Sequence, residues 1–340
     1  MRVEQKTDNI IIKTDAIQKK FELTKEAVFR YIKFFLIPGW RDPEFSSKEY
    51  EIDKIKSKRR LFRRLLTPLT VVGLGLILFI TFLAVYAPWL TPFTLDQATD
   101  GGISGITPFL APPTPGHPLG TTKFGYDLLA RVIWGCRTAI VFGFITIIIA
   151  SFGGIAVGTF SGYYGGRIDS ITMRIIDFVL VFPAMILVII IVQLSPTRNL
   201  LMILSIFGMF AIPWYSRLMR SSVLQVKQEL YIEAAKTGGA SNFKIMFKHV
   251  FSNAISPVLI SFFGGVGAAI LAFSGIAFLG FGDDALPDWG TDINYARARI
   301  SAIHAAIWPG LFILIAVLGF MLLGDGLRDA LDPRLQKKNR

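Results

Sequence analysis

Two long uncharged runs, Thr138 to Gly166 and Val250 to Gly282, stand out along the chain, with shorter apolar runs around them. Each exceeds the roughly 20 residues that a helix needs to cross a bilayer, so the pattern predicts membrane spans rather than the core of a soluble domain. Charge-free length places six spans at residues 69–90, 137–163, 175–194, 200–217, 256–281 and 304–324. The expected fold class is an all-α polytopic membrane protein with six transmembrane helices. Residues 1–68 form a polar tail, 91–136 an external loop, 137–327 the core and 328–340 a second tail. Pro183, Pro213 and Pro309 interrupt three spans, where kinks are expected.

Between the fourth and fifth spans lies a polar, mildly basic interval, Tyr231 to Pro257. Met219, Val223, Val226, Leu230 and Ala234 recur at three- and four-residue steps, so one helix is expected to run through to Thr237 and stop at Gly238 and Gly239. Ser241 is a fair N-cap for a second short helix. Its apolar stripe would be Phe243, Met246, Phe247, Val250 and Ala254, with Lys244, Lys248 and Ser252 opposite. The two helices meet at a glycine hinge whose small residues, Ala234, Ala235, Gly238, Gly239 and Ala240, let another protein approach closely.

The net charge of +12 points to nucleic acid or to a membrane surface, and its placement chooses the membrane. With the N-terminus inside, 30 Lys and Arg fall on the cytoplasmic side and 6 outside. That split obeys the positive-inside rule, puts both termini in the cytoplasm and makes the hinge part of the longest cytoplasmic loop. The first tail mixes 17 basic with 10 acidic residues. Its aromatic and basic stretch from Ala27 to Trp40 reads either as a helix in the headgroup layer or as a soluble tail helix. The basic cluster from Lys54 to Arg64 retains it on the inner side. A lone cysteine, Cys136, leaves no internal disulfide and no multi-cysteine metal site.

Inside the spans, Asp177 is the one carboxylate, three residues after Arg174 on the same helix face. A structural or gating ion pair is expected there, ahead of a proton-carrying role. The fifth span crowds Gly264, Gly265, Ala268, Ala272 and Gly275 into three turns, which suits close helix packing or leaves room for a pathway. Outside, Asp127 and Arg131 are spaced to pair on one helix face. Asp283, Asp284 and Asp288 precede Trp289, a candidate interfacial anchor, in a loop that is either a docking surface or simply solvated.

No P-loop, H-E-x-x-H or G-x-S-x-G run occurs, and the three histidines are scattered over both sides. A structured cytoplasmic hinge without an energy source or catalytic group suggests a subunit driven by a partner; an ion-gradient-driven carrier is the rival reading.

Glu233-Ala234-Ala235 followed by Gly239 resembles the EAA loop of ABC importer permeases. Gly239 to Ala254, His117-Pro118-Leu119-Gly120-Thr121 with Gly125, Asp127 and Arg131, the GYYGGRID run with Arg174 and Asp177, and Leu323 to Leu335 are similar to the C-type permease of dipeptide and oligopeptide systems. The chain departs from that pattern at Phe251-Ser252, where a Leu-Pro pair is usual, and at Thr122 and Tyr126. The resemblance implies a type I importer-like transmembrane domain, with ATP and Mg on two partner ATPase subunits and no cofactor or metal on this chain. It further implies a second homologous permease and an extracytoplasmic solute-binding protein. Glu233, Ala234, Ala235, Gly238, Gly239, Ala240, Ser241, Phe243, Met246 and Phe247 would couple to the ATPases. Gly120, Thr121, Asp127, Arg131, Asp283, Asp284, Asp288 and Trp289 would dock the binding protein. Peptides, nickel chelates and oligosaccharides all remain open as solutes.

Overall fold

A computed structural model describes residues 66–99, 109–196, 198–283, 285–297, 299 and 302–331. The tail stretch 27–40, the basic cluster 54–64, Asp284 and the C-terminal residues beyond 331 lie outside the described residues. Among those described, the secondary structure is helical apart from two isolated β-bridges. Five helices are long and apolar enough to cross a membrane: α1 (Pro68–Leu90), α3 (Leu128–Tyr164), α6 (Leu200–Val226), α9 (Ser256–Ile276, continued by a π-turn at Ala277–Phe281) and α11 (His304–Leu331). A sixth crossing is supplied if the bent pair α4 (Gly166–Val181) and α5 (Ala184–Leu194) counts as one span; the two meet at 75°. Shorter helices among the described residues are α2 (Leu95–Thr99), α7 (Leu230–Thr237) and α10 (Trp289–Ala296). Between α7 and α9 lies a helix in three registers, α over Asn242–Lys244, π over Ile245–Phe251 and α again over Ser252–Ala254, together called α8.

The apolar pattern thus gives the fold class, but two spans differ from expectation. The second spanning helix starts at Leu128, not near 137, so Arg131 and Arg137 belong to the span's own continuous helix rather than to the segment before it. Charge marked them as external, yet both are satisfied in place. Arg137 donates from Nε to the carbonyl of Ala84 and from Nη2 to that of Val85, at 2.5 and 3.2 Å. Pro88 has no N–H to offer the carbonyl four residues earlier, so the guanidinium fills a bond the proline leaves open. The expected third span breaks at Pro183, whose ψ of 108° is extended.

α3 packs most extensively on α6. Between two membrane helices there is no solvent-driven gain to exploit, so close backbone approach must supply the attraction. Gly154, Gly158 and Gly162 provide it. A Cβ on Gly154 would sit 2.3 Å from that of Tyr215, and one on Gly158 2.5 Å from the Ser216 carbonyl oxygen. α9, α11 and α1 pack on in turn, and Ile147, Val266, Ile270, Phe273 and Phe320 fill the shared core.

Candidate functional site

The hinge is built from three joined pieces. α6 does not continue into α7, as the repeat from Met219 to Ala234 suggested. It tightens at its end, where Gln228 and Glu229 bond carbonyls only three residues back, and Glu229 turns extended. Lys227 reaches away to the Tyr163 carbonyl at 2.5 Å, a cation on the open C-terminal end of α3. α7 ends at Gly238, and Gly239 takes φ +77°, a left-handed value that a side chain would resist. Ser241 then caps α8, accepting from the Lys244 N–H at 3.4 Å.

The π register of α8 changes which residues face inward. Ile245, Met246, Val250 and Ala254 are buried. Phe243 and Phe247, expected on the same stripe as Met246, are instead exposed at 67% and 39%. Their rings lie 4.5 Å apart, and Phe160 of α3 meets Phe247 at 6.5 Å, extending an aromatic row. Glu233, Ala234, Gly238, Gly239 and Ser241 are also exposed, with Ala235 and Ala240 half-buried. Ile232, fully buried, anchors α7. Ser252, the departure from the Leu-Pro pattern, bonds the Phe247 carbonyl five residues back at 3.3 Å, following the π winding.

Polar contacts tie this hinge to the spans. Tyr163 donates to the Asn242 side chain at 3.3 Å, and Arg220 of α6 holds Asp169 of α4 through two bonds. Ser161 donates to the same carboxylate. Asp177 also pairs with α6, through Arg217. This corrects the expected partner: Arg174 shares Asp177's helix, but the carboxylate bonds across to α6 and Arg174 stays exposed.

A cavity of about 560 Å³ lies among α3, α6, α9 and α11. Gly264, Gly265, Ala268 and Ala272 form its α9 wall, opposite Trp214 and Tyr215. Gly265 is required for closeness, because a Cβ there would fall 2.2 Å from the Tyr215 hydroxyl. Gly275 stands apart from this wall, near Met185 of α5. Asp325 also lines the cavity; it lies in the Leu323 to Leu335 run but just past the expected end of the sixth span at 324, and was given no role there.

At the opposite end of α3, the residues expected to dock a binding protein are buried instead. Gly120, Thr121, Asp127, Arg131, Asp283, Asp288 and Trp289 are all shielded, since each holds the end cap together. Asp127 caps α3 through the Ala130 N–H at 2.7 Å and meets His117 at 2.9 Å, so it does not pair with Arg131. Arg131 binds Asp292 of α10 at 2.5 Å and the Ala98 carbonyl at 2.7 Å. Trp289 is no interfacial anchor: its indole donates to the Val132 carbonyl at 3.0 Å, in space that Gly135 leaves. Asp283 accepts from the Leu200 N–H at 2.7 Å, and Asp288 caps α10. Burial pushes the Asp288 carboxyl up to about 6. It also raises Asp292, against the opposing pull of the Arg131 charge.

Comparison with known proteins places this architecture. The family described as "Binding-protein-dependent transport system inner membrane component" matches residues 154–337. The dipeptide transport system permease protein DppC of Alkalihalophilus pseudofirmus is 35% identical over 300 residues, covering 87% of this chain and 96% of that protein. The glutathione transport system permease protein GsiD of Pectobacterium atrosepticum is 34% identical, covering 82% and 91%. DppC of Haemophilus influenzae is 35% identical, covering 78% and 91%. With its hinge, its close-packed spans and relatives matched along nearly their whole length, the chain belongs to the binding-protein-dependent transport system inner membrane components, the multi-pass permease subunits of ABC importers.

Proposed function

We propose that this chain forms half of the translocation pathway of an ATP-driven importer for dipeptides and short oligopeptides. Both relatives' names support the solute class, since dipeptides and glutathione are short peptides. Two partner ATPases carrying ATP and Mg drive it, a second homologous permease completes the pathway, and an extracytoplasmic binding protein delivers solute. The charge asymmetry supports cytoplasmic termini, with the hinge facing the ATPases.

The observation that carries this reading is the two-sided character of α8. One side is sunk into the chain through Ile245, Met246 and Val250, while Phe243 and Phe247 stay exposed beside a glycine hinge. A partner that seats on those rings moves α8, and α8 moves the spans to which Asn242 and the buried stripe bind it. Nucleotide-driven closure of the ATPases then biases the membrane helices between two arrangements.

The test is uptake of labelled dialanine by the assembled complex in proteoliposomes, with ATP inside. Uptake that needs ATP, ATPases and binding protein together is the expected result. Uptake by this chain alone on an ion gradient would establish a secondary carrier instead.

A further inference from the structure

The cavity beside α9 carries one charged group, and its setting is specific. Asp325 lies between two glycines of α11, each pressed on a different helix. A Cβ on Gly324 would lie 3.0 Å from the Gly264 nitrogen of α9, and one on Gly326 2.0 Å from the Thr70 hydroxyl of α1. Between these two contacts Asp325 is itself exposed and lines the cavity. No ion pair or hydrogen bond holds its carboxylate among the described residues. The remaining walls are mostly apolar or aromatic, with Trp214, Tyr215 and Phe207 on α6, and carry the hydroxyls of Thr146 and Ser261. At about 560 Å³ the space is in the range that holds small solutes. The small residues of its α9 wall leave it open.

A carboxylate with no partner among the described residues, beside aromatic rings in a largely apolar recess, has the chemistry that recognises an ammonium group, through charge and through the ring faces. We propose that Asp325 receives the free α-ammonium group of the solute as it passes through this subunit. The inference rests on the peptide-importer reading and adds to it a point of recognition within the membrane chain, beyond whatever the binding protein selects.

Two measurements on the assembled complex test it. In the first, labelled dialanine and N-acetyl-dialanine are titrated by equilibrium dialysis against the complex without binding protein. Wild type is expected to hold dialanine about tenfold more tightly than the acetylated form, with D325N losing that preference and D325E keeping most of it. In the second, dialanine uptake at saturating liganded binding protein is expected to fall about tenfold in D325N. Equal preference in wild type and D325N, with equal uptake, would overturn the proposal. So would a D325N complex that no longer assembles on size exclusion, because Asp325 would then be a contact to a basic group of a partner subunit. A wild-type complex that moves no peptide defeats the functional reading and this inference together. Peptide uptake by wild type that D325N leaves untouched defeats this inference alone.

Discussion

Asp169 and Arg220 meet through two near-parallel hydrogen bonds of 2.5 and 2.6 Å, joining the first half of a bent span to the helix that leads into the hinge. Besides this pair, α4 is held by the Arg217–Asp177 pair and the Ser161 bond to Asp169, and its one buried side chain is Ile176. A two-pronged carboxylate and guanidinium contact, partly shielded from water, is worth on the order of 1–3 kcal/mol. D169N is expected to lower stability by that order in detergent-denaturation titrations. The charge-exchanged D169R/R220D pair should recover part of the loss. Equal stability of D169N and wild type would show that α4 is held by something else.

Replacing the exposed rings of α8 should separate folding from coupling. F243A removes a ring that the chain leaves mostly uncovered and F247A one that it leaves partly uncovered, so the melting temperature is expected to stay close to wild type, more so for F243A. Uptake by the assembled complex should nevertheless fall severalfold, as measured with labelled dialanine. Undiminished uptake in the F243A/F247A double variant would remove the rings from the docking role.

The end cap should lose stability as pH rises. Asp288 is pushed up to about 6 by burial, above the 3.8 of an unburied carboxyl. Between those values the folded form binds the proton that the unfolded form has released, so stability is greatest below about 4 and declines as pH passes through 6. Asp292, also raised, acts in the same direction. D288N keeps an oxygen for capping α10 and is expected to flatten the profile between pH 4.5 and 7 in thermal unfolding. An unchanged slope in D288N would assign the pH dependence elsewhere.

Two glycine-to-alanine changes should behave oppositely. On Gly158 the new methyl lands 2.5 Å from the Ser216 carbonyl oxygen, forcing α3 and α6 apart at a cost of about 1–3 kcal/mol. On Gly75 it meets nothing within 4 Å, so G75A should be neutral or slightly stabilising. Unfolding titrations of the purified variants check both, and comparable losses in the two would contradict the seam.

The spans were legible because lipid demands long apolar runs, and the hinge because Gly238, Gly239 and Ser241 act on their own backbone. What was not legible depends on partners distant in sequence. Nothing near Arg131 announces Asp292, 161 positions away, and nothing near Arg137 announces the carbonyl that Pro88 frees on another helix. Both arginines therefore read as lying outside the span. The stripe of α8 was misjudged at Phe247, where a regular 3.6-residue period was applied to a π winding, and at Phe243, which lies in the α-register turn before it and is exposed. Gly120, Thr121, Asp127 and Arg131 were picked out by a motif and Asp283, Asp288 and Trp289 by an acidic cluster before a tryptophan, but their burial shows that they frame the end cap from within.

α3, at 37 residues, is about 55 Å long, well beyond the roughly 30 Å of a bilayer's hydrocarbon. Tyr163 near one terminus grips Asn242, and Arg131 near the other grips Asp292. A rod held at both ends works as a lever arm: tilting it by about 5° around its middle displaces each tip by roughly 2–3 Å in opposite senses. A small push on α8 would therefore be felt at the far cap without any signal having to pass from side chain to side chain.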